Sequence, residues 1–127
     1  MIENRKKILI MEQDEELLNI IVKKLELNDF EVVAVEDGTQ GINLSRERRP
    51  DLVIMDVSTP NLPGKDAARA FTPEGIPILF LKDMEARRSG LEEGVVVDGV
   101  LYPTIQKPFY SGDLLKMVRE ILEKKIV

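Results

Sequence analysis

Residues 50–64, PDLVIMDVSTPNLPG, carry the pattern on which the fold turns. Leu52, Val53, Ile54 and Met55 form an unbroken apolar run that stops at a carboxylate, Asp56, and gives way to the turn-forming residues Ser58 and Pro60. A strand with one face in water alternates apolar and polar residues. A run without that alternation suits a strand buried on both faces, and such strands belong to parallel sheets covered by helices.

The same signature recurs on either side. Ile8–Met11 and Val32–Val35 precede it, Ile76–Leu81 follows it, and Val95–Leu101 is a looser fifth run. The segments between have helical spacing. Leu17, Ile21 and Leu25 recur every four residues beside Leu18 and Val22, and Leu114, Val118, Ile121 and Leu122 repeat the pattern near the C-terminus. Asp14 precedes the first of these helices with Glu15 and Glu16 in the opening turn, and Ser111 precedes the last with Asp113, so both are expected caps. Gly41 and Ser45 dilute the helix expected over Gly38–Arg48, and Pro73 and Gly75 limit the one after Gly64 to about Phe71. Five alternations of strand and helix predict a doubly wound, three-layer α/β fold, because each parallel strand needs a right-handed crossover that packs a helix on the sheet. A length of 127 residues with 43% hydrophobic residues suits one domain over residues 1–127, without room for a separate output domain.

Composition removes much ordinary chemistry. The chain has no Cys and no His, which excludes disulfides, thiolate metal sites, a Cys nucleophile and the commonest general base. A net charge of -5 disfavours a nucleic-acid backbone as partner. No apolar segment reaches membrane-spanning length and no signal-peptide core follows Met1–Lys7, so a cytoplasmic protein without a membrane partner is expected.

In open parallel sheets, ligands bind at the carboxyl ends of the strands. The expected strand tips here carry Glu12, Gln13 and Asp14, then Asp56 and Ser58, then Lys82 and Asp83, and finally Lys107. Carboxylates and ammonium groups therefore meet at one edge. Such a cluster needs internal pairing or a divalent cation.

At these residues the chain resembles the response regulator receiver domain of two-component signalling. The run ending at Asp56, with Pro60 and Gly64 behind it, is similar to the family's acceptor motif, and Lys107-Pro108-Phe109 is similar to its Lys-Pro-Phe signature. The resemblance covers nearly the whole chain and implies a flavodoxin-like five-stranded sheet of order 2-1-3-4-5. It also implies Asp56 as phosphoacceptor, Lys107 as the lysine that contacts the phosphoryl group, and Mg²⁺ bound by Glu12, Gln13, Asp56 and the backbone carbonyl of Ser58. A carboxylate that attacks a phosphoryl donor needs the charge on the equatorial oxygens neutralised, which a metal and a lysine supply. The partners implied are a histidine kinase or phosphotransfer protein and a downstream protein. Homodimerisation stays open.

Three departures mark an atypical member. Gln13 stands where the family has a metal-binding acid and brings no charge, while Glu12 is one methylene longer than Asp, so weakened or absent Mg²⁺ binding is expected. Asp14 reads as a helix cap rather than a substitute ligand. Lys82 stands where the family has a Ser or Thr hydroxyl. It is read either as an ammonium paired with Asp56, replacing the metal's charge, or as a solvent-pointing lysine. The segment before Lys107 is also long, and Asp98-Gly99 offers a second register, a tight turn between two short strands. Tyr102 reads as a packing residue. Arg46, Arg48, Arg49, Arg87 and Arg88 read as solvated helix faces, with a docking surface for an acidic partner as the alternative.

The leading expectation is a stand-alone receiver-like domain that accepts a phosphoryl group on Asp56 and signals through a partner protein. The alternative is a pseudo-receiver, the same scaffold used as a phosphorylation-independent binding module. An aspartyl-phosphate hydrolase of the haloacid dehalogenase type is disfavoured, because Ser58 occupies the position of that family's second Asp. No Gly-rich nucleotide loop follows any strand.

Overall fold

The structure, a computed structural model, describes residues 4–83 and 95–124. In chain order the elements are β1 (Lys7–Met11), α1 (Glu15–Glu26), β2 (Glu31–Val35), α2 (Gly38–Arg48), β3 (Leu52–Asp56), α3 (Gly64–Phe71), a 3-10 turn (Thr72–Glu74), β4 (Ile78–Lys82), β5 (Val95–Val97), β6 (Val100–Tyr102), β7 (Thr104–Gln106) and α4 (Ser111–Lys124). Five strands form a parallel sheet of order β2-β1-β3-β4-β7, with β3 at its centre. All residues of β3 are buried, as the unbroken run requires.

Successive side chains of a strand point to opposite faces, so each apolar run feeds two cores. Ile8, Ile10, Leu52, Ile54, Leu79 and Leu81 pack on one face against Leu18, Ile21 and Leu25 of α1 and Leu114, Leu115 and Val118 of α4. Leu9, Met11, Val53, Met55, Ile78 and Phe80 pack on the other against Ala67, Ala68 and Phe71 of α3, with Ile42 and Leu44 of α2 at the margin. This is the doubly wound arrangement that the sequence predicts. Among the described residues, no helix is long and apolar enough to cross a membrane.

The fifth strand of the sheet is not where the apolar pattern placed it. Val95–Leu101 does not join the sheet. It falls within an antiparallel hairpin of β5 and β6, closed by Asp98 at φ 51 and Gly99 at φ 80, as in the second register. Two consecutive residues at positive φ match the twist of a two-residue hairpin. The sheet is completed by Thr104–Gln106, in which Ile105 is the buried residue. Three residues with one apolar side chain give no periodic signal, and an edge strand tolerates that.

The hairpin is fastened across α3. Val97 is buried in the second core, Tyr102 meets Phe80 edge-on at 5.7 Å, and the Tyr102 hydroxyl lies 2.8 Å from Thr72 Oγ1. Arg69 donates from Nε and Nη2 to the two carboxylate oxygens of Asp98, at 3.1 and 3.0 Å. That fork is exposed, so it orients the turn more than it stabilises it.

Asp14 caps α1 as expected, its Oδ1 accepting from the Leu17 N–H at 3.2 Å. Ser111 is a helical residue of α4 rather than its cap: the backbone carbonyl of Tyr110 accepts from the N–H groups of Asp113 and Leu114. Arg46, Arg48 and Arg49 are exposed, while Arg87 and Arg88 lie outside the described residues.

Gly38 opens α2 in contact with the loop after β3. Its N–H donates to Pro60 O at 2.8 Å, and a Cβ there would sit 2.1 Å from Leu62 Cβ. Gly38→Ala is therefore expected to cost about 1–3 kcal/mol in urea unfolding through overpacking. Gly112→Ala, with nothing within 4 Å of the new carbon, is the control and should be neutral or slightly stabilising. Equal stability of both variants would contradict the close approach of α2 to this loop.

Candidate functional site at the carboxyl edge of the sheet

Parallel register brings the strand ends level. Met11 pairs with Met55, Asp56 with Leu81, and Lys82 with Gln106, so Glu12, Asp56, Lys82 and Lys107 all fall at the same edge. Backbone bonds extend the alignment past the strands: Glu12 N donates to Val35 O, Val57 N to Leu81 O, and Lys107 N to Lys82 O.

Two carboxylates there are withdrawn from water, Glu12 at 1% and Asp56 at 4% exposure. Each is fixed through one oxygen. Glu12 Oε2 accepts from the Asp14 N–H at 2.9 Å, and Asp56 Oδ1 accepts from the Ser58 N–H at 2.6 Å. The remaining oxygens face one cation, since Lys107 Nζ lies 2.5 Å from Asp56 Oδ2 and 2.7 Å from Glu12 Oε1. Glu12 Oε1 is fully buried and has no hydrogen bond, so the ammonium's charge is what offsets its burial. Asp83 Oδ1 is further out, 4.0 Å from Nζ and largely exposed. Burial works against the Lys107 ammonium, but its hydrogen bond to Asp56 and the close charges of Glu12 and Asp56 outweigh it, holding its pKa above the ordinary 10.5.

The loop after Asp56 is tightly held. Thr59 donates from its N–H and its hydroxyl to Asp56 O, at 3.0 and 2.6 Å, and Asn61, at φ 64, donates from Nδ2 to Asp37 Oδ2 at 2.8 Å. Asp37 also caps α2 by accepting from the Thr39 N–H, and the bond from Asn61, then those from Thr39 and Gln40, lower its pKa. The Asp37–Asn61 link escaped the sequence reading, because side chains 24 positions apart leave no periodic trace.

Of the residues singled out from sequence, Glu12, Asp56 and Lys107 converge. Gln13 and Ser58 are exposed beside them. Lys82 is half-buried at the end of β4 and borders a cavity of about 380 Å³ with Val57, Pro63, Gly64, Lys65 and Val95–Val97. Lys107, whose reach the lengthened segment before it had left open, does contact Asp56.

The donor set does not fit a resident Mg²⁺ as the side chains stand. Among the described residues no three acidic side chains gather closely enough to hold a metal ion. Gln13 is exposed, Asp14 is engaged at the Leu17 N–H, and the Lys107 ammonium spans the gap between the two carboxylates.

Comparison with known proteins agrees with this architecture. The family model of the response regulator receiver domain matches residues 8–119, and the chain belongs to that family. It is 30% identical over 121 residues to the DNA-binding response regulator MtrA of Mycolicibacterium paratuberculosis, covering 94% of this chain and 52% of that protein. It is also 30% identical over 120 residues to the response regulator MprA of a Mycobacterium species, covering 93% and 51%. The chain thus spans about half the length of the curated relatives it matches. Among solved structures, a CheY-like receiver domain protein from Methanospirillum hungatei superposes with TM-score 0.77 at 21% identity, covering 96% of this chain and 97% of that one. The chemotaxis response regulator CheY4 of Vibrio cholerae gives 0.75 at 24% identity, covering 93% and 99%. The flavodoxin-like receiver fold and the assignment to two-component signalling follow.

Replacing Lys107 by Met leaves two buried carboxylates without their counter-charge, so Lys107→Met should lose about 3 kcal/mol of stability at neutral pH. Because the folded pKa of Lys107 is raised above 10.5, the ammonium's contribution is complete below that value and is lost as pH rises through the higher folded one. Urea unfolding of both proteins should show the gap closing in alkaline solution. A gap that stays constant with pH would contradict the ion triad.

Proposed function

We propose that this chain is a receiver-like module of a phosphorelay that accepts a phosphoryl group on Asp56 from a histidine kinase or phosphotransfer protein and signals through a partner protein. The observation that carries the reading is the state of Asp56: nearly buried at the central strand tip, with one oxygen held by the Ser58 N–H and the other against Lys107. In the step proposed, a carboxylate oxygen of Asp56 forms the new P–O bond as the bond from phosphorus to the donor's leaving group breaks. The leaving group departs with the electron pair, and Lys107 offsets the charge on the transferred oxygens. Lys82, at the adjacent strand tip, is proposed as a second source of positive charge for that group. Mg²⁺ has no part in this step, given the donor set described above.

Some relatives are DNA-binding response regulators, but the chain matches only about half of each, and its net charge is -5. A protein partner is therefore proposed in preference to nucleic acid.

A pseudo-receiver reading is favoured by one observation, that Lys107 already satisfies both carboxylates. In that case a partner would bind the protein and its Asp56→Asn variant alike.

Incubation with a small acyl-phosphate donor, with and without Mg²⁺, followed by intact mass measurement, tests the leading reading. One added phosphoryl group is expected, and it should be absent from Asp56→Asn. No adduct on the unaltered protein under forcing donor concentrations would defeat it.

A further inference from the structure

The edge of the sheet opposite Asp56 gathers positive charge from two distant parts of the sequence. Arg5, Lys6 and Lys7 lead into β1, while Arg46, Arg48 and Arg49 stand at the end of α2. Lys7 joins the two groups. Its Nζ donates to Arg48 O at 2.9 Å, its N–H donates to Asp51 Oδ2 at 2.8 Å, and its carbonyl accepts from the Asp51 N–H at 2.7 Å. Lys7 Nζ also lies 4.0 Å from Glu31 Oε2, so this lysine and the carboxylates of Glu31 and Asp51 are engaged with one another. The other five cations are exposed, and among the described residues the guanidinium groups of Arg46, Arg48 and Arg49 have no hydrogen-bond or ion-pair partner. Against them stand the exposed carboxylates of Glu47 and Glu74. The result is a locally basic surface on a chain of net charge -5.

Arg49 is kept there against the preference of its backbone. It closes α2 at φ 47 and ψ 71, the left-handed conformation that Gly or Asn adopts more readily. With Arg46 it lines a cleft of about 480 Å³ between the end of α2 and residues 74–76. A guanidinium group presents two parallel N–H donors, which match the two oxygens of a carboxylate.

We propose that this edge is a docking surface for an acidic polypeptide segment of a partner protein, whose carboxylates meet Arg46 and Arg49 at the cleft and Arg5, Lys6 and Arg48 beside it. A polypeptide fits better than a nucleic acid or an anionic membrane, because Glu47 and Glu74 interrupt the basic surface and the net charge of the chain repels a continuous polyanion. Strands β1 and β3, five residues each, set this edge about 16 Å from Asp56. A partner held here leaves the Asp56 edge uncovered, and the inference stands whether or not Asp56 takes up a phosphoryl group.

The test is a titration of the full chain with a short synthetic peptide in which Glu alternates with Ser, followed through backbone amide shifts without any phosphodonor. Shifts are expected at residues 5–7 and 46–49 with the Asp56 amide unmoved, and the affinity should fall several-fold as salt rises from about 0.05 to about 0.5 M. Arg46→Glu with Arg49→Glu should weaken binding by about tenfold or more. Lys116→Glu with Lys124→Glu, the same change of net charge on exposed residues of α4, should alter it by less than about twofold. Arg49→Asn separates recognition from folding. Asn suits the left-handed position, so this variant should be at least as stable as the unaltered protein in urea, yet bind the peptide about threefold or more weakly.

No binding at low salt, shifts centred on another surface, or equal losses in the two double variants would overturn the inference. So would an Arg49→Asn protein that binds as tightly as the unaltered one. Preferential binding of a DNA duplex or of phosphatidylserine vesicles to the same residues at matched salt would overturn the choice of a polypeptide.

Discussion

Two carboxylates buried at one sheet edge repel each other and lose their water, and in this protein the Lys107 ammonium stands between them to offset both costs. The desolvation of either carboxylate alone would cost several kcal/mol, and the attraction of the shared ammonium offsets it. Much of the surrounding structure serves this contact. Parallel register sets the ends of β1, β3, β4 and β7 level, and Lys107 N is tied to Lys82 O, which anchors the lysine one residue past the edge strand. The lysine then reaches across β4 to the central strand.

The loop after Asp56 is held by a similar set of contacts. One face of Asp56 is closed by its own following residues, Ser58 and Thr59, and the loop beyond them is clipped to α2 through Asp37, Asn61 and the Gly38 N–H. A side chain positioned in this way would need little reorganisation for the phosphoryl transfer proposed above. The same set of contacts explains how a short carboxylate and a long lysine 51 positions apart in the sequence keep contact.

The legibility of this molecule in its sequence was uneven, for physical reasons. Unbroken apolar runs at Ile8–Met11 and Leu52–Met55 suit strands buried on both faces, and their alternation with segments of helical spacing made the fold class readable. The Asp14 cap and the bounds of α3 were readable too, because capping and chain-breaking are local. The edge strand Thr104–Gln106 was not, since one buried isoleucine in three residues carries no period, and the valine-rich hairpin before it supplied a stronger false signal. At the site, Asp56, Glu12 and Lys107 could be named from strand tips and from family resemblance. That Lys107 reaches Asp56 was not readable from the sequence, since it is a matter of tertiary packing rather than of pattern. The Asp37–Asn61 clip is of the same kind.

A double-mutant cycle between Glu12→Gln and Lys107→Met, read by urea unfolding at neutral pH, tests most directly whether Lys107 is shared by the two carboxylates. The predicted result is strong coupling of about 1–3 kcal/mol, with Glu12→Gln costly in the unaltered protein and harmless or stabilising once Lys107 is gone. Additive effects of the two substitutions would show that Lys107 does not bridge the two carboxylates and would contradict the account.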